Sequence, residues 1–262
     1  MNKQQPEIRK KKADWSSTEN HLVLCADIMG FKKMVAKPEF HIETEKTLRS
    51  FLDELKKAMS TLRTNQHIRL SLFSDSIFLA TGCDSLQCLN LIIQASSIIM
   101  QICKKFKLPI NGCIARGTLT FDDIFEVAKK EGSQQEMIPM ALCFGYAISE
   151  AYLIQNAIHL YGIVFHPNMD ELLTSKPVQN QKFPVFRLPI PLREGGYANL
   201  FYLSHCHVNT PKNSNGDCMN DYRNDLAEIE LHCGVRARTY TYNTLEICDA
   251  VSKLISESAN ND

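Results

Sequence analysis

Residues 68–81, IRLSLFSDSIFLAT, constrain the fold more than any other stretch of the chain. Ile68, Leu70 and Leu72 alternate with polar neighbours, the pattern of a strand with one covered face. Ser74-Asp75-Ser76 interrupts the run and IFLAT resumes it, which predicts a tight hairpin with Asp75 at its tip. The flanking sequence supplies the remaining layers. HLVLCA, residues 21–26, reads as a buried strand that ends at Asp27, and IMGFKKMV follows. Leu48, Phe51, Leu52, Leu55, Met59 and Leu62 recur at helical spacing, predicting an amphipathic helix over roughly residues 41–63.

Beyond the hairpin, Asp84 or Ser85 caps a second helix with Leu89, Ile92, Ile93, Ile99 and Cys103 on its apolar face. Pro109 leads into a strand, INGCIARGTLTF. Residues 122–136 read as a polar excursion and Ile138 to Phe144 as a short strand. Gly145 opens a helix carrying Ile148, Ala151, Tyr152 and Ile158, and GIVFH is a further strand. Strands alternating with helices around a hairpin imply an α+β sandwich, a sheet covered on one face by helices. VFRL and NLFYL follow as strands, residues 205–225 as a polar loop, and Leu245 to Ile255 as a last helix.

Composition bounds the function classes. Lys+Arg and Asp+Glu are each 29 in 262 residues, so there is no global basic field for wrapping nucleic acid, and an anionic ligand must be met by local charge. The ten cysteines do not read as a disulfide scaffold. Cys25, Cys103, Cys113, Cys143 and Cys248 sit in apolar periodic segments, and no CxxC pair occurs. The N-terminus is polar and basic, with Arg9, Lys10, Lys11 and Lys12 in a row, which predicts a solvated tail over residues 1–20 and no leader. Leu89 to Cys103 is too short and too polar to span a bilayer. The expected setting is a reducing cytoplasm, away from membranes and nucleic acid.

Two acidic residues stand out. Asp27 closes an apolar strand just before Gly30, and Asp75 tips the hairpin. Singly, Asp27 reads as a cap for the helix after Gly30, and Asp75 as an Asx turn. If their strands are neighbours, the carboxylates converge at one sheet edge beside a glycine turn. That arrangement suits Mg²⁺ or Mn²⁺, with backbone N–H groups after Asp27 receiving phosphate oxygens. A competing signal comes from His205, Cys206, His207, Cys218, His232 and Cys233, soft ligands for zinc whose spacing matches no standard pattern.

Four motifs in order, ADIMGF, FSDSIFLA, INGCIARGTLTF and GYAISEAYLI, resemble the class III nucleotide cyclase domain over roughly residues 21–166. Within that family the SDS hairpin and RG-containing strand are most similar to the bacterial pyrimidine cyclases of the Pycsar antiphage system. The resemblance implies a ferredoxin-like catalytic domain over residues 21–190, with residues 191–262 as a C-terminal extension of strand, polar loop and terminal helix within the same domain. It implies a homodimer whose shared site converts UTP or CTP to the 3′,5′-cyclic monophosphate and diphosphate, using two Mn²⁺ or Mg²⁺ ions per site. The cyclic product would act on a separate effector. Asp27, Ile28 and Asp75 are the implied metal residues, with Gly30 and Phe31 at the substrate.

Purine cyclases carry Lys or Glu four residues before the second Asp, and here that position is Ser71. Their partner-facing helix carries Asn and then Arg, and here those positions are Ser149 and Leu153. Arg116 is the candidate replacement cation, a guanidinium being suited to phosphate oxygens, although a strand Arg paired with an acidic neighbour is the alternative. Arg69 and Ser71 share parity with Asp75 and are the candidate base pocket. Arg236 and Arg238 are further phosphate candidates, or residues of a solvated strand. Two other functions compete. A non-catalytic nucleotide-binding regulator would not need Asp75. A palm-type enzyme would show a GGDEF-like hairpin where this chain reads FSDSI.

Overall fold

The computed structural model describes residues 19–31, 35, 41–62, 68–128, 136–175, 184–204, 223–227 and 235–259. The expected basic tail and the His/Cys cluster from His205 to Cys233 lie outside them.

Strands β1 (Asn20–Ile28), β2 (Ile68–Phe73), β3 (Ser76–Thr81), β4 (Ile110–Thr118), β7 (Gly162–Phe165), β8 (Val185–Pro191) and β9 (Tyr197–Leu203) form one mixed sheet. It has seven strands in the order β2-β3-β1-β4-β7-β9-β8. The pair β4–β7 is parallel and the other pairs are antiparallel. Strands β5 (Thr120–Ala128) and β6 (Glu136–Phe144) form a separate antiparallel ribbon. The segment read as a polar excursion is therefore largely strand. Its polar residues mask the alternation of β5, which pairs antiparallel with β6, the next strand in the chain.

Helices α1 (His41–Leu62), α2 (Leu86–Lys105), α3 (Tyr146–Ala157) and α5 (Val235–Ala259) complete the fold, with a helical turn α4 (Asp170–Leu173). Helices lie on both faces of the sheet, where one covered face was expected. Leu22, Leu24, Ala26 and Ile28 of β1 join Phe51, Leu55, Leu89 and Ile92 in one core beneath α1 and α2. Val23 and Cys25 point the other way, into a second core with Ala147 and Ala151 of α3 and Ile247 and Val251 of α5. The continuous apolar run of β1 is the cause, since only a strand buried on both faces tolerates it.

Local chemistry explains the element boundaries. Ser85, not Asp84, caps α2, its hydroxyl accepting from the Cys88 N–H at 3.3 Å. Lys104 and Lys105 lie in its last turn, where cations complement the helix dipole. The run expected to be too short and too polar to span a bilayer belongs to a longer helix: among the described residues α2 is the one helix long and apolar enough to cross a membrane, and its apolar side is buried in the core. Helix α3 sits directly on the sheet because its contact points are glycines. A Cβ on Gly117 would come within 2.8 Å of the Tyr146 ring, and one on Gly145 would strike the Thr118 carbonyl. Helix α5 begins ten residues earlier than its apolar pattern announced, so Arg236 and Arg238 are helical rather than on a strand. Residue 190, where the C-terminal extension is expected to begin, lies inside β8, a strand of the seven-stranded sheet.

Candidate active site

Asp27 occupies the last turn-ward pair of β1, opposite Ser76 of β3 on one side and Asn111 of β4 on the other. The Ser76 hydroxyl donates to Asp27 Oδ1 at 2.7 Å and fixes the carboxylate's direction. Asp75 sits in the two-residue turn of the β2–β3 hairpin, whose first residue, Ser74, has a φ of 57°. A non-glycine residue in the left-handed region is uncommon and costs backbone energy, the kind of strain that collects at functional sites. The Ile28 N–H donates to the Asp75 carbonyl at 2.8 Å, tying the hairpin tip to the end of β1. The structure thus brings the two predicted carboxylates to one end of adjacent strands.

The turn after Asp27 is also built for close approach. Gly30 has a φ of 80°, a conformation that favours glycine, and Phe31 packs against the core beneath α1 and α2. Phe31 therefore anchors the turn from inside. Ile28 buries its side chain in the same core, so only its backbone carbonyl can serve as a ligand. The N–H groups expected to receive phosphate are in part engaged: Ile28 bonds Asp75, and Met29 bonds the Pro109 carbonyl at 2.7 Å.

Strand register corrects the parity of the base-pocket candidates. Asp75 lies in the turn, outside the alternation, so parity does not assign it to a face with Arg69 and Ser71. They share one with Asp27 instead. Ser71 pairs with Phe78, which pairs with Cys25, one like-facing row from Asp27. Two residues separate these rows, about 7 Å along the strand. Arg69 is on the Ala80–Val23 row, four residues and about 13 Å from the Asp27 row. Its charge acts on Cys143 at the end of β6. Burial, with the neighbouring Cys143 and Asp27, pushes the Cys25 thiol up to about 12, so this floor of the site is neutral.

Arg116 is not brought to this site. It pairs with Leu22, five residues from the Asp27–Asn111 row, or about 17 Å along β4. Its parity is that of Ile114, which faces the core under α1 and α2, the opposite face from Asp27. Its Nε meets Asp84 Oδ2 at 2.6 Å, with both side chains mostly buried, and its N–H and carbonyl are both bonded by the Asn168 side chain. Gly117 beside it is covered by α3 and leaves no room for a phosphate. This is the ion-paired alternative, imposed by an acidic helix approach that pattern reading treated only as a cap.

A further polar residue pairs with Asp27 across β1 and β4, one that no sequence motif singles out. Asn111 is fully buried opposite Asp27, donates to the Leu160 carbonyl at 2.9 Å, and leaves its Oδ1 without a partner. A buried amide inside the apolar run INGCIA was the available signal. Among the described residues no group of three or more His, Cys, Asp or Glu side chains gathers as a metal cage. A pair of carboxylates, one buried orphan oxygen and an open turn still fit Mg²⁺ or Mn²⁺. Mg²⁺ typically takes one or two carboxylates and completes its shell with water and substrate phosphates.

No family model matches the chain, and no curated protein matches it. Among solved structures it is similar to the adenylyl cyclase CyaB from Pseudomonas aeruginosa, with 13% identity, a TM-score of 0.47, and coverage of 74% of this chain and 96% of that one. It is similar to a bacterial light-regulated adenylyl cyclase, at 11% identity and a TM-score of 0.47, covering 78% and 98%. It is also similar to an adenylate cyclase from Trypanosoma brucei in its monomeric state, at 10% identity and a TM-score of 0.45, covering 73% and 90%.

Proposed function

We propose that this chain is a cytoplasmic nucleotide cyclase that converts a pyrimidine nucleoside triphosphate, UTP or CTP, to its 3′,5′-cyclic monophosphate and diphosphate. The observation that carries the reading is the convergence of Asp27 and Asp75 at one end of β1 and β3. Asp27, Asp75 and the Ile28 carbonyl would hold the divalent ions. When bound, such ions lower the pKa of the ribose 3′-OH and neutralise charge on the triphosphate. The chain's own residues position the reactants. Ser76 aims the Asp27 carboxylate. The turn at Gly30 gives the phosphates a close backbone approach, and the row of Ser71, Phe78 and Cys25 floors the base pocket. Ser71 is short and uncharged, and a hydroxyl that donates or accepts suits a pyrimidine edge.

The reading includes a homodimer. Tyr146, Tyr152 and Leu153 of α3 and the adjacent Phe144 are each more than half exposed, an apolar surface suited to a second copy. It also includes, from the sequence resemblance, a signalling role in antiphage defence through an effector that responds to the cyclic product.

A nucleotide-binding regulator is the second reading, and the remoteness of Arg116 from the carboxylates favours it. One experiment separates them: purified protein with Mn²⁺ and each of the four NTPs singly, products identified by mass. Cyclic UMP or cyclic CMP supports the proposal. Preference for ATP or GTP refutes the base assignment, and recovery of every nucleotide unchanged refutes the cyclase. The CTP-to-UTP ratio in Arg69→Ala reports whether Arg69 reads the base.

A further inference from the structure

The connection from β3 to α2 holds a pair of sulfurs unlike the other described cysteines. Cys83 Sγ and Cys88 Sγ lie 3.3 Å apart. Cys83 is partly exposed ahead of the helix, and Cys88 is buried in its first turn, 3% exposed. The loop between them is fixed in place. The Thr81 hydroxyl donates to the Cys83 carbonyl at 2.7 Å, and the Ser85 hydroxyl lies 3.3 Å from both Cys83 Sγ and the Cys88 N–H. Asp84 between them is anchored to Arg116.

The electronic environment has the same asymmetry. Partial burial and the neighbouring Asp84 carboxylate act to raise the Cys83 thiol, but hydrogen bonding with Ser85 and Cys88 outweighs them and leaves the thiol below its ordinary value. The positive end of α2 acts in the same sense. Burial pushes Cys88 up. Elsewhere burial pushes Cys103 up to about 12, and Cys113 well above its usual range. Those thiols are protonated and inaccessible.

We infer that Cys83 and Cys88 are a redox modification site, a dithiol that closes to an intrachain disulfide on exposure to a peroxide. The Cys83 thiolate attacks one peroxide oxygen, the O–O bond breaks, and Cys83 becomes a sulfenic acid as hydroxide leaves. The Cys88 sulfur then attacks Cys83, the S–O bond breaks, and the hydroxyl leaves as water with the Cys88 proton. Two electrons pass from the sulfurs to the peroxide, which ends as two waters for hydrogen peroxide. The bridge staples the first turn of α2 to the end of β3, and a thiol reductant reverses it.

The test treats the full chain with hydrogen peroxide, blocks remaining thiols by alkylation, and maps peptides without reduction. Cleavage after Leu86 separates the two cysteines, so a bridge holds two peptides together. The expected result is a Cys83–Cys88 linked pair that dithiothreitol releases, with Cys25, Cys103 and Cys113 recovered unlinked and alkylated once the chain is denatured. Dimedone should label Cys83 several-fold more in Cys88→Ser than in wild type, because the resolving sulfur is gone. Wild-type Cys83 and Cys88 both recovered alkylated, or Cys83 bridged to any other cysteine, overturns the inference. If Cys88→Ser does not fold, the wild-type map decides alone.

Discussion

The two ends of the β1–β4 pair carry acidic groups in opposite states. At one end Asp84 is matched by Arg116 at 2.6 Å, and Asn168 locks the Arg116 backbone. At the other, Asp27 meets a serine hydroxyl, and among the described residues neither Asp27 nor Asp75 meets a cation. A carboxylate matched within its own chain is part of the scaffold. On the proposed reading, a partly buried carboxylate without such a match would favour a cation that arrives with the ligand. Charge type alone does not separate the two cases, since all four residues stand beside turns or glycines in the sequence. The register separates them.

The largest expected effect breaks the open end. Asp27→Ala and Asp75→Ala should each lower product formation at least about a hundredfold while shifting unfolding by about 1 kcal/mol or less, because the lost charge stabilisation belongs to the reaction rather than the fold. Product mass and a denaturant melt on the same samples check this, and wild-type turnover in either variant would remove the site. Next in size, Leu153→Glu on α3 should convert a dimer to monomer by sedimentation and lower activity with it, since a buried unpaired charge opposes association. An unchanged dimer would place the partner surface elsewhere.

A smaller effect sharpens the pocket. Ser71→Lys should reduce kcat/KM for the pyrimidine substrate by about tenfold, the cost of one mismatched buried polar group, with less change in kcat/KM for purine triphosphates. The four-nucleotide comparison reads it directly. The smallest catalytic effect is expected at the matched end. Arg116→Ala should leave the rate within a few-fold and instead cost about 1–2 kcal/mol of stability, because Asp84 loses a mostly buried partner. A hundredfold loss of rate with unchanged stability would restore Arg116 to catalysis, acting from a second copy.

Much of this contrast was legible before any coordinates. The hairpin tip at Asp75, the buried strand ending at Asp27 and the amphipathic helix over residues 41–62 each follow from local periodicity, and local periodicity survives folding. β6 is legible as the apolar run Ile138 to Phe144, whereas β5 and the early start of α5 are not, because their acidic, basic and hydroxyl residues break the apolar period. Parity does not extend from Ser71 to Asp75, because strand alternation stops at the turn. Within one chain Arg116 lies five residues along β4 from the Asp27 row. Its neighbour Gly117 suggested room for a ligand, and a helix fills that room. Asn111 went unread because a single amide in an apolar run has no periodicity to reveal it.

β1 is hydrogen-bonded along both edges, to β3 and to β4, and buried on both faces. Its amides can meet solvent deuterium only when the sheet itself opens, so they belong with the slowest-exchanging protons of the molecule. Asp27 hangs from the end of that strand, whereas Asp75 rides on a hairpin whose outer strand, β2, lies at the sheet edge. One carboxylate thus inherits the persistence of the whole fold and the other the looser breathing of a margin. Fluctuations that alter the distance between them arise on the Asp75 side.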